Sequence, residues 1–126
     1  MDRATISSWV RQSRYRAKRH NIISDLDVAD IDAIMQEHDS KCAYCSAEAE
    51  TFDHLFPLKD RVANVPANIV PSCKRCKRVK KTSDLVWMYN TSKISEIVYI
   101  TILKMIMQRR GNAQIKAYLQ RVTGQI

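Results

Sequence analysis

Four cysteines stand in two close pairs, Cys42-x-x-Cys45 and Cys73-x-x-Cys76. Each pair can bite a metal ion through its two-residue spacer, and two such knuckles supply the four soft ligands of a tetrahedral zinc site. A site closed by four thiolates is structural, because no coordination position stays open for a substrate. Positions 46–72 separate the pairs, more than the ~15–20 residues of common zinc ribbons, so the insert is expected to carry chemistry. Within it lie the dipeptide Asp53-His54 and, further on, Asn68. No apolar signal segment opens the sequence. With the cysteines at metal-ligand spacing, thiolate–metal bonding in a reducing compartment, the cytoplasm, is expected rather than disulfides.

Residues 41–81 read KCAYCSAEAETFDHLFPLKDRVANVPANIVPSCKRCKRVKK. Several features agree in order and spacing: Cys-x-x-Cys, Asp53-His54-x-x-Pro57, Asn68-Ile69-Val70-Pro71, Cys73-x-x-Cys76 and Lys80. In these features the segment resembles the HNH nucleases, the ββα-metal fold, in the version whose hairpin and helix are clamped by zinc between two Cys-x-x-Cys pairs. The resemblance implies His54 as general base, a role that a near-neutral intrinsic pKa suits. It implies Asp53 as ligand of a divalent cation on the scissile phosphate, magnesium or manganese, and Asn68 as the residue that holds the loop and orients the histidine.

The chain departs from the family at Lys77, where members carry a His or Asn that also binds the cation. An ammonium has three donors and no lone pair for a metal. Lys77 then either sets a fixed positive charge at the phosphate, supporting or replacing the cation, or marks a domain that binds nucleic acid without cutting it. Asp60 or Asn64 in the hairpin loop could instead complete the cation shell.

Twenty-one Lys and Arg against 13 Asp and Glu leave a net charge of +8, and the basic residues are clustered, which favours a polyanion such as DNA. One cluster is Arg11, Arg14, Arg16, Lys18 and Arg19; the other is Lys74, Arg75, Lys77, Arg78, Lys80 and Lys81, beside the motif. Helical spacing sets Lys77 and Lys80 on neighbouring positions of one face, which is expected to be the substrate side.

The elements that must position these residues follow from periodicity. Residues 5–20 read as an amphipathic helix with Ile6, Trp9, Val10 and Ala17 on one stripe. A second helix starts at Asp27, its cap, with Asp30 in the first turn and Val28, Ile31, Ile34 and Met35 inward. His38 is a polar residue near its end, and Tyr44 a packing residue in the first knuckle. Residues 51–58 form a strand with Asp53 and His54 on opposite faces, 59–67 a polar loop, and 68–70 the returning strand, stopped at Pro71. Ser72 is expected to cap the helix carrying the second knuckle. Residues 83–90 form a short helix with Trp87 buried. The apolar stretch 94–107 falls short of the ~18 residues of a membrane span, so no membrane is expected. That stretch and a last helix over 113–122 either close the core or form a homodimer.

The whole is expected to be an α+β, mostly helical protein. A basic helical extension (1–40) precedes a ββα-metal core with a four-cysteine zinc site (41–81), and carboxy-terminal helices follow (82–126). The function expected is DNA cleavage or nicking. A non-catalytic DNA-binding protein is the first alternative, and an adaptor using the apolar stretch 94–107 is the second.

Overall fold

The computed structural model describes residues 1–123; the last three positions of the expected 82–126 segment lie outside the described residues. Helices α1 (Arg3–Arg19) and α2 (Val28–Glu37) come first, then strands β1 (Thr51–His54) and β2 (Ile69–Ser72). They are followed by α3 (Lys74–Lys80), α4 (Leu85–Asn90), α5 (Glu96–Met107) and α6 (Asn112–Thr123). The architecture is thus α+β and mostly helical. No helix among the described residues is long and apolar enough to cross a membrane.

Local chemistry accounts for the helix starts. Asp2, Asp84 and Ser95 each accept a hydrogen bond from a first-turn amide of α1, α4 and α5. Asp27 caps α2, as the sequence led us to expect, and the Asp30 side chain returns a bond to the Asp27 amide, which makes a reciprocal capping box. Cys73 caps α3, its Sγ accepting from the Cys76 amide. Ser72 does not take that role: it is the last residue of β2, and its hydroxyl donates to the Cys73 carbonyl.

β1 and β2 pair antiparallel, with His54 opposite Ile69, Asp53 opposite Val70 and Phe52 opposite Pro71. Pro71 therefore does not stop the return strand. It needs only its carbonyl, which accepts from the Ala43 amide of the first knuckle. The period of two splits the hairpin between two cores. Phe52 and Ile69 join Ile6, Val10, Ile31 and Ile34 of α1 and α2. Val70, Leu55 and Phe56 join the other core, with Ile102, Ile106, Ile115 and Leu119 of α5 and α6.

The connection between the strands is not the polar loop expected from its lysine and arginine. Val62, Ala63, Asn64, Val65, Pro66 and Ala67 are all buried, and two short 3₁₀ turns, Leu58–Asp60 and Pro66–Asn68, fold it inward. The turn between α5 and α6 docks on this connection. The Ala67 amide donates to the Arg110 carbonyl, and Gly111 lies against Val65. Buried Arg109 donates from the same turn to the Ile69 carbonyl at 2.7 Å and pairs with Glu37. The carboxy-terminal helices thus close the core. Trp87, expected inside, is instead 37% exposed, the inner positions of α4 being Leu85 and Met88.

Candidate active site and metal centre

Cys42 and Cys45 lie in a tight turn where the Cys42 amide donates to Ala47 and the Ser46 amide to Cys42, with Ser46 at a left-handed φ of 67°. The second pair opens α3, so the helix start and the knuckle are one structure. All four Sγ atoms lie within 4.8 Å of one another, with Cys45 and Cys73 at 3.7 Å. Four thiolates at 2.3 Å from a tetrahedral zinc ion stand about 3.8 Å apart, so the cluster has the size that a zinc ion requires. Against the desolvation that would raise it, hydrogen bonds from Ala47 and the neighbouring thiols draw the Cys45 thiol down to about 7. The Arg75 guanidinium lies against the same sulfur.

The knuckle helix α3 runs along the edge of β1 that β2 leaves open. Leu55 and its neighbours two residues back bond to β2, the Leu55 amide donating to the Asn68 carbonyl, so the carbonyls of Phe52 and His54 face the other edge. Lys77 Nζ donates to the Phe52 carbonyl at 2.7 Å and Lys80 Nζ to the His54 carbonyl at 2.8 Å. Two lysines three apart on a helix thus seal two carbonyls two apart on a strand. Lys80 is 1% exposed and also pairs with Asp53 Oδ2 at 3.1 Å. It is a buried structural cation and not part of an open phosphate-binding face. Asp53 Oδ2 takes a second donor, the Tyr44 hydroxyl at 2.7 Å. Tyr44 is therefore more than packing, because its hydroxyl supplies a hydrogen bond to a buried carboxylate.

His54, on the opposite face of the strand, meets a different set. Its ring stacks on Trp9 of α1, centroids 5.2 Å apart. Its Nε2 lies 2.9 Å from Asn64 Oδ1. The Asn64 amide nitrogen donates to Ser13 Oγ and Ser24 Oγ, and the Ser13 hydroxyl donates to the Val10 carbonyl. With Asn64 Nδ2 donating to both serines, Asn64 Oδ1 accepts from Nε2–H, the assignment in which Nδ1 carries the lone pair. Desolvation first, then the positive charges of Arg16 and Lys80, push the His54 pKa down to about 4, against the opposing pull of Asn64 and Asp53. The imidazole is neutral at physiological pH.

Asn68 holds the loop, as the resemblance implied, but does not touch His54. It accepts from the Phe56 amide and donates to the Phe56 and Ala63 carbonyls, each at 2.9 Å. Asn64 does the orienting instead. Its type was visible in the sequence, but the buried chain of partners that reaches it from α1 was not.

These groups meet in a cleft of about 210 Å³ whose lining includes Asp53, His54, Arg16, Lys77, Lys80 and Lys81. His20 and Lys59 also line it. Burial lowers the Lys77 pKa, with Arg16 and Lys80 adding to the effect and Asp53 opposing it. The first basic cluster divides: Arg16 reaches the cleft, and Arg11 lines a neighbouring groove. Arg14 is turned away, donating to the Leu26 carbonyl at 2.7 Å, while Lys18 and Arg19 are exposed. From the second cluster Lys77, Lys80 and Lys81 reach the cleft, whereas Lys74, Arg75 and Arg78 stand exposed elsewhere on α3. No family model matches the sequence, and no curated protein matches it.

Proposed function

We propose that this protein is an HNH-type endonuclease that hydrolyses phosphodiester bonds in DNA, on a ββα unit built from β1, β2 and α3 with zinc on its four cysteines. The observation that carries the proposal is the meeting of a neutral, oriented imidazole with several fixed cations in one cleft. His54 Nδ1 takes a proton from water as the water oxygen bonds to phosphorus. Arg16, Lys77 and Lys81 offset the charge that grows on the phosphoryl oxygens as the ester P–O bond breaks, and the departing oxygen takes a proton from solvent water.

The magnesium or manganese ion that the resemblance implies does not suit the residues present. Asp53 Oδ2 is already engaged by Tyr44 and by the Lys80 ammonium, and Asn64 Oδ1 by His54. Asp60 lies beside the Lys59 ammonium at 3.3 Å. Lys77 adds a further positive charge beside Asp53, and like charges repel a divalent ion. In this proposal Lys77 stands in for the cation.

The test is supercoiled plasmid incubated with zinc-loaded protein in buffer stripped of divalent ions by resin, because EDTA would also attack a thiolate-bound zinc. Cleavage is expected without added magnesium or manganese, and its loss is expected in His54→Ala with plasmid binding retained. Cleavage only on adding either ion would show that a cation site forms at Asp53 and that Lys77 does not replace the metal. The pairing of Asp53 with Lys80 favours one other reading, a non-catalytic DNA-binding protein on the same scaffold. Retained binding with no cleavage under any ion would select it.

A further inference from the structure

A second groove, of about 650 Å³, runs along α1 and is lined by Trp9, Arg11, Gln12, Tyr15, Arg16 and Lys77. It shares Arg16 and Lys77 with the cleft that holds His54, so the two adjoin. The nuclease proposal needs the cleft and makes no use of this extension. Its chemistry is specific. Tyr15 is 63% exposed, so its ring is open to a stacking partner. Arg11 and Arg19 stand one helical turn to either side of it, the Arg19 guanidinium 6.0 Å from the ring centre.

We infer that this groove binds an unpaired polynucleotide strand leading away from the scissile phosphate, with Arg16 and Lys77 holding phosphates and a base stacking on Tyr15. The occupant follows from complementarity. A row of cations tracks a phosphodiester backbone, and an exposed aromatic ring takes the face of a base, the pairing by which proteins hold single strands. In a duplex both faces of each base are covered by its neighbours, so the ring gains nothing there. Trp9, which also lines the groove, is committed to His54 and Phe52, so Tyr15 is the residue that a base can reach. The inference rests on the reading of the cleft as a nucleic-acid site.

The experiment is fluorescence anisotropy of the full zinc-loaded chain with labelled 15-residue oligo-dT, oligo-U and a DNA duplex of equal length, at one salt concentration. Tyr15→Ala is expected to weaken binding of an unpaired strand about tenfold and of the duplex less than twofold, while Tyr15→Phe keeps wild-type affinity. Either oligo-dT or oligo-U showing this pattern supports the proposal and names the strand. Equal effects on unpaired and duplex probes, or wild-type affinity for all probes in Tyr15→Ala, would overturn it. Lys81→Glu, at a residue that lines the cleft and not the groove, separates the two levels. If it leaves every probe bound as before, the nucleic-acid reading of the cleft fails; if it abolishes binding while Tyr15→Ala changes nothing, only the groove fails. Tyr15 supports no core, so its variants fold.

Discussion

His54 and Asp53 are neighbours in sequence and opposites in environment. The histidine is kept neutral by burial, while the aspartate is compensated by Lys80 and Tyr44. Because the folded His54 pKa lies near 4, below the unfolded value near 6.5, the unfolded chain binds the extra proton between those pH values. The stability associated with burying the neutral ring is present above pH ~6.5 and lost as pH falls toward ~4, on the order of 3 kcal/mol. Urea denaturation should show this slope in wild type and a shallower one in His54→Asn. An equal slope in both would mean the ring is not buried neutral. Lys80→Met would leave Asp53 buried with its main counter-charge gone and should cost about 3–5 kcal/mol. Lys80→Met combined with Asp53→Asn should cost less than Lys80→Met alone, since no unpaired charge remains. A double variant as unstable as the sum of the singles would show that the pair is not coupled.

At the scale of elements, α1 belongs to the site and is more than a basic extension of it. Trp9, Ser13 and Arg16 recur at helical spacing on one face, stacking on His54, anchoring Asn64 and lining the cleft. Ser13→Ala removes one partner of the Asn64 amide and should cost about 1 kcal/mol. On the proposed mechanism it should also slow plasmid cleavage without weakening plasmid binding; unchanged turnover would detach α1 from catalysis. The α5–α6 turn makes a parallel demand on backbone shape. Gly111 has φ +88°, and a Cβ there would stand 2.4 Å from Val65 Cβ. Gly111→Ala should therefore lower stability by about 2 kcal/mol or more, because neither the dihedral nor the contact can accept it. A thermal midpoint equal to that of wild type would contradict this docking.

For the whole molecule, the hairpin is the shared wall of two cores, and the cysteine cluster fixes its far end to α3. Zinc content near one ion per chain is expected, and a strong chelator should lower the thermal midpoint, since metal binding and folding are one equilibrium at such sites. A protein that folds equally well with no bound zinc would refute a structural role. The net charge of +8 adds a second expectation. If about four cleft and groove cations contact phosphates, affinity for an unpaired strand should fall by roughly 50-fold between about 50 and 200 mM salt, and for a duplex by roughly 150-fold.

The sequence by itself determined what is local. The spacing of the cysteines announced a cluster able to hold a metal, Asp27 and Asp30 a helix start, and the period of two at Asp53 and His54 a strand, because each depends on residues a few positions apart. Tertiary structure decided which polar groups are used up. Lys80 is indistinguishable in sequence from the exposed lysines around it until the edge of β1 sets the His54 carbonyl and Asp53 within its reach. Asn64 orients the histidine because Ser13, 51 residues away, holds its amide, and Asn68 is occupied by backbone that only the folded connection brings near. A buried donor must find an acceptor wherever the chain supplies one. Where that acceptor comes from a distant segment, no local pattern can name it.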